Sequence, residues 1–199
     1  MNFRGTVMEL SYKKATKDDI EPIYELCKQL IDKYEQTDAI DYPKVLNWVR
    51  KKIESSVDEY TAVYANGVKA AYYHFYKNEK AQFEIDDLYV FTEFRNKGIG
   101  SAVIKKCCMS VDVPVILYVF IGNERAVSLY KRLGFTVIET IGDSRYIMRS
   151  SKDILKAASK NHSASDAQSD FSSDCIEISQ LLQSNNLHTC RMSRNLCAR

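Results

Sequence analysis

Arg95-Asn96-Lys97-Gly98-Ile99-Gly100-Ser101 is the stretch from which the fold is read. It follows a strand-patterned run, Ala81 to Val90, and a short loop. It opens a helical pattern, Gly98 to Met109, in which Ile99, Ala102, Val103 and Cys107 share one face. Glycines let a backbone approach a ligand closely and expose its N–H groups. A helix N-terminus adds unpaired donors and positive dipole, which suits a pyrophosphate. Arg95 and Lys97 add charge. Two other glycine motifs are excluded: the dinucleotide fingerprint wants a small third residue where Val103 stands, and a P-loop wants Gly-Lys-Ser/Thr. Alone, the Gly98/Gly100 pair would also suit any tight helix start.

Upstream, Thr16 and Asp19 form a helix start, and Ile20, Ile23, Cys27, Leu30, Ile31 and Tyr34 give that helix one apolar face. Pro43 suits the first turn of a second helix, whose apolar side is Val45, Leu46, Val49 and Ile53. Asn66-Gly67 joins strand-rich Tyr60–Ala65 to a return strand from Val68 to Tyr76, because a type I′ turn needs positive φ at both central residues. Downstream, Pro114 to Phe120 is a nearly unbroken apolar run, as in an interior strand. Phe135–Ile141 and Ser144–Arg149 pair around Gly142-Asp143. This mixture predicts an α/β (α+β) sandwich in one domain, residues 8–150. Residues 151–199 are Ser-rich with one aromatic and no Gly or Pro, so a disordered tail is expected, with a marginal helix at 175–187.

The chain has 199 residues, 45% hydrophobic and 27% charged, with net charge +2. No basic run calls for nucleic acid. No apolar leader and no stretch near the ~18 apolar residues of a membrane span is present, so a soluble cytoplasmic protein without membrane contact is expected. Six cysteines lack any C-x-x-C, and two of the three histidines fall in the tail. Reduced thiols and no metal site are therefore expected.

A second motif follows the Pro114–Phe120 run: Asn123-Glu124-Arg125-Ala126-Val127-Ser128-Leu129-Tyr130-Lys131-Arg132-Leu133-Gly134-Phe135. The two segments together resemble the GCN5-related N-acetyltransferase (GNAT) superfamily. Its patterns are R/Q-x-x-G-x-G/A and N-x-x-A-x-x-L/F-Y-x-x-x-G-F, and every marked position matches. The resemblance covers about residues 10–149. It implies a mixed, mostly antiparallel sheet flanked by helices, with a splayed central parallel strand pair, here 81–90 and 114–120. It implies acetyl-CoA as co-substrate, its pantetheine arm against Leu88, Tyr89 and Val90, with one N–H there stabilising the oxyanion. The pyrophosphate would lie on Arg95, Asn96, Lys97, Gly98, Ile99, Gly100 and Ser101. Asn123 would stand near the cofactor, although it also reads as a plain helix cap. Family dimers make a homodimer an open expectation, for which no exposed seam can be read.

Chemistry asks for a neutral amine, a donor for the leaving thiolate and little else beyond proximity. Tyr130 matches the family's acid, since a phenol with pKa near ~10 keeps its proton at neutral pH. Outside the motif it would read as a core tyrosine. Asp86 and Glu84 share a strand face and are the candidate proton acceptors, Asp86 by resemblance to polyamine acetyltransferases, which carry Glu there. A water relay suits so weak a base. Asp87 points the other way unless a bulge intervenes. Alternation separates Tyr72 and Tyr76 from Tyr73 and Phe75, so one set could wall an acceptor pocket or simply pack. The expectation is acetyl transfer to a primary amine, either a small cationic molecule or a peptide. The alternative from another class is a non-catalytic acyl-CoA-binding module.

Overall fold

The computed structural model describes residues 8–151, and the tail expected at 151–199, with its marginal helix at 175–187, lies outside them but for Ser151. The elements in chain order are β1 (Leu10–Lys14), α1 (Ile20–Tyr34), α2 (Tyr42–Ser56), β2 (Tyr60–Ala65), β3 (Val68–Lys77), β4 (Phe83–Val90), α3 (Ile99–Met109), β5 (Val115–Phe120), α4 (Glu124–Arg132), β6 (Phe135–Ile141) and β7 (Arg145–Ser150). One seven-stranded sheet has the order β1-β2-β3-β4-β5-β7-β6. Every pairing is antiparallel except β4 with β5. The α/β mixed-sheet expectation is met.

Local chemistry sets the joints. Asn66 and Gly67 take φ of 50° and 82°, as the hairpin turn requires. Asp41 caps α2 through its side chain on the Lys44 N–H, with Pro43 in the first turn. Ala81 sits at φ 56° and donates to the Asn78 carbonyl, so β4 starts at Phe83 rather than Ala81. β1 has no strand signal of its own beyond the alternation of Leu10 and Tyr12, and it is held by pairing with β2.

The sheet carries a core on each face. Ile85, Ile99, Val103, Ile104, Leu117, Tyr130 and Met148 pack together on the α3 and α4 side. Ile23, Ile31, Val49, Ile53, Tyr60, Tyr72 and Tyr89 pack on the α1 and α2 side. Both clusters come from the period-two alternation of central strands meeting the apolar stripes of the helices. Tyr72 and Tyr73 fall on opposite faces as expected, and both are packing residues: Tyr72 is 1% exposed and Tyr73 7%.

Candidate active site

β4 and β5 run side by side for three residue pairs, the last being Ile85 with Leu117, and then their ladder stops. Beyond it β4 continues against β3 and β5 against β7. The two strands therefore fork, starting at Asp86. Phe91 N–H bonds the Ala70 carbonyl across β3. Backbone groups alternate along a strand, so Tyr89 faces β3 as well, while Leu88 and Val90 turn their N–H groups into the fork. Tyr89, grouped with them from sequence, thus uses its backbone on β3, and its hydroxyl donates to Asp87 Oδ1 at 2.5 Å.

The mouth of the fork is the Arg95–Ser101 turn. Arg95 Nε bonds the Val90 carbonyl at 3.1 Å, and Arg125 of α4 bonds the Asn96 side chain. Backbone bonding stops at Arg95 N–H to Thr92 and resumes at Ala102 N–H to Gly98, which leaves the amides between them without backbone partners among the described residues. Gly98 has φ +84°, and a Cβ there would meet nothing within 4 Å. A Cβ on Gly100 would lie 3.5 Å from Leu129 and 3.8 Å from Val90, so this glycine marks where α3, α4 and β4 converge. Free donors, open space and two basic side chains fit a diphosphate. Asn123 Oδ1 accepts from the Ala126 N–H at 3.3 Å, as a helix cap does.

Tyr130 lies on the α3/α4 face. The residue is 9% exposed, its ring lies 6.0 Å from that of Phe135, and among the described residues its hydroxyl has no protein partner. Burial pushes its pKa up to about 12.

The acids occupy the opposite face. His74 pairs with Asp87 while Phe75 pairs with Ile85, so Asp86 is the extra residue of a β-bulge. The bulge turns Asp87 to the side of Asp86 and Glu84. Lys52, on the buried face of α2 between Val49 and Ser56, bonds Asp86 Oδ2 and lies 3.4 Å from Asp87 Oδ2. Asp87 Oδ2 also accepts from the Tyr60 hydroxyl at 2.5 Å. His74 bridges Asp86 Oδ2 at 3.2 Å and Glu59 Oε2 at 3.0 Å. Burial alone would raise the Asp86 pKa, but Lys52 and His74 hold it well below the usual carboxylate range. Among the described residues no cation bonds Glu84, and Lys52 and His74 act on it only from a distance. Burial first, then the charge of Asp86, lift it to about 7, against a bond from Asn78 Nδ2 at 3.0 Å. His74, Asp86 and Asp87 lie close enough to share an ion, but the ammonium of Lys52 is already on both carboxylates.

At the far end of β5, Phe120 stacks on Tyr34 at 5.8 Å and under the Arg145 guanidinium at 4.4 Å. Arg145 bonds Glu35 at 2.9 Å. Glu35 to Ala39 line a cavity of about 520 Å³ beside this wall. Lys52 and His74 carry no motif. The available signals were a lysine three residues after Val49 on an apolar helix stripe and a histidine inside an aromatic strand.

The sequence model of the Acetyltransferase (GNAT) family matches residues 19–135. The chain belongs to the GNAT acetyltransferase family. An uncharacterized N-acetyltransferase of Methanocaldococcus jannaschii is 27% identical over 159 residues, covering 71% of this chain and 67% of that protein. The N-acetyltransferase of Staphylococcus aureus Mu50 superposes with TM-score 0.56 at 17% identity, over 70% of this chain and 98% of its own. The PaiA N-acetyltransferase of Thermoplasma acidophilum, solved with coenzyme A, gives TM-score 0.50 at 21% identity, over 72% and 99%. This GNAT chain is an acetyl-CoA-dependent acyltransferase. Among the described residues no helix is long and apolar enough to cross a membrane.

Proposed function

We propose that this GNAT enzyme acetylates a primary amine by direct attack on the thioester held in the β4–β5 fork, with Tyr130 as general acid. The observation that carries the reading is the end of the parallel ladder at Ile85 and Leu117, on the strand that leads into amides with no backbone partner among the described residues. Val90 N–H polarises the thioester carbonyl and stabilises the oxyanion. The Arg95–Ser101 turn holds the diphosphate, and Asn123 stands beside it while capping α4. Tyr130 keeps its proton until the thiolate leaves, then supplies it.

Glu84 takes the amine proton through water. A carboxyl near 7 is matched to that task at neutral pH. Asp86 is the weaker choice, because Lys52 stabilises its ionised form so strongly that it has little appetite for a proton.

Glu84, Asp86 and Asp87 first suggested a small cationic acceptor. All three now have internal donors in Asn78, Lys52, His74, Tyr60 and Tyr89. That removes the argument for a polycation and favours an acceptor presenting a single amine, on a small molecule or a peptide. Free coenzyme A release, measured with monoamines, polyamines and short peptides, tests this. Turnover with a single-amine acceptor is expected. Saturable coenzyme A binding without transfer to any amine would favour the non-catalytic module instead.

A further inference from the structure

Burying a lysine ammonium is costly unless it is paired, and evolution of a packed helix face ordinarily avoids it. Lys52 is nevertheless on the core face of α2 with Val49, Ile53 and Ser56, and its side chain is 8% exposed. It reaches Asp86, the first residue past the last parallel pair of the fork, and Asp87, which the bulge brings to the same side. The cation therefore stands at the throat of the fork, on the face opposite Tyr130.

We propose that Lys52 is a specificity-determining residue: its ammonium fills the cation position of the Asp86/Asp87 pair at the fork and so excludes diamines and polyamines as acceptors. The bonding pattern explains why one amine still fits. Both Asp87 oxygens are taken by tyrosine hydroxyls, and Asp86 Oδ2 is shared by Lys52 and His74. Among the described residues, Asp86 Oδ1 alone of these four oxygens has no protein donor. That leaves room for a single incoming N–H. A second ammonium on the same molecule would compete with Lys52, whose own pKa is held well above the ordinary lysine value by the two carboxylates despite its burial. The inference rests on the proposed function and takes the acceptor to reach the fork from the α1/α2 face, where Asp86 meets Lys52.

Two acceptors of equal chain length separate the outcomes: n-butylamine, with one amine, and 1,4-diaminobutane, with two. In the full-length wild type, kcat/KM for the monoamine is expected to exceed that for the diamine by at least about tenfold. In Lys52→Met, which keeps the stem and loses the charge, the diamine value is expected to rise by about tenfold or more. Lys52→Arg retains the cation and the original preference. Equal use of both amines by the wild type would overturn the proposal. So would a Lys52→Met enzyme that still rejects the diamine while using the monoamine, an outcome that leaves the proposed function standing. If Lys52→Met does not fold, the wild-type preference and its retention in Lys52→Arg decide. Failure of both amines, and of the wider set of monoamines, polyamines and short peptides, in every variant with coenzyme A bound would instead refute the proposed function.

Discussion

Asp86 Oδ2 and His74 Nδ1 lie 3.2 Å apart, and the imidazole that joins them to Glu59 is wholly buried between the rings of Tyr60 and Tyr76. Both ring nitrogens face carboxylate oxygens. Only the imidazolium can donate to both, which is why the two bonds raise the His74 pKa above 6.5 although burial and Lys52 oppose it.

Stability should therefore depend on pH through this residue. The folded value lies above the unfolded one, so the contribution is full below about 6.5 and fades as pH rises through the folded value. Urea titrations should show His74→Gln losing more stability at pH 6 than at pH 9. A larger loss at pH 9 would contradict the assignment.

Tyr130→Phe removes a hydroxyl that has no protein partner among the described residues, so folding and coenzyme A affinity should change little. The kcat should fall by about 100-fold if the phenol protonates the leaving thiolate. Steady-state rates beside a coenzyme A titration check this, and unchanged kcat across the pH range would remove Tyr130 from the mechanism.

Glu84 protonates as pH falls through about 7, so wild-type kcat/KM should decline below that value. Glu84→Gln should abolish the decline and lower the plateau by about 100-fold. Linkage gives a second readout. The folded state binds the Glu84 proton more tightly than the unfolded state, so this group makes stability fall as pH rises from 4.5 to about 7. Glu84→Gln should remove that part of the slope. A pH–rate profile unaffected by the substitution would exclude Glu84 as the proton acceptor.

The two glycines of the turn should respond differently from a core position. Gly98→Ala puts a side chain at φ +84° in open space, costing about 1 kcal/mol of stability. Gly100→Ala makes only ordinary contacts with Leu129 and Val90. Both methyl groups keep a ligand off the amides, so coenzyme A affinity should weaken about tenfold, while the melting temperature falls by only a few degrees in Gly98→Ala and moves little in Gly100→Ala. Undiminished affinity in both would place the diphosphate elsewhere.

The parts legible from sequence were those with local causes. Asn66-Gly67, Pro43, Gly98 and Asn123 fix turns, starts and caps through their own φ or side chains. The apolar stripes of α1 and α2 followed from periodicity, β5 from an unbroken apolar run, and the forking of β4 from β5 from the family resemblance alone. The facing of Asp87 did not, because a bulge at Asp86 breaks the period of two. Lys52 and His74 were missed because their roles exist only once α2 lies across β3 and β4. β1 was missed because five residues at a sheet edge show too little alternation to stand apart.

Isothermal calorimetry of coenzyme A against the wild-type protein tests the central claim most directly, that the β4–β5 fork and the Arg95–Ser101 turn form the acyl-donor site. Saturable heat for one molecule per chain, diminished in Gly98→Ala and Gly100→Ala, is the expected result. Absence of saturable binding in correctly folded wild type would contradict it.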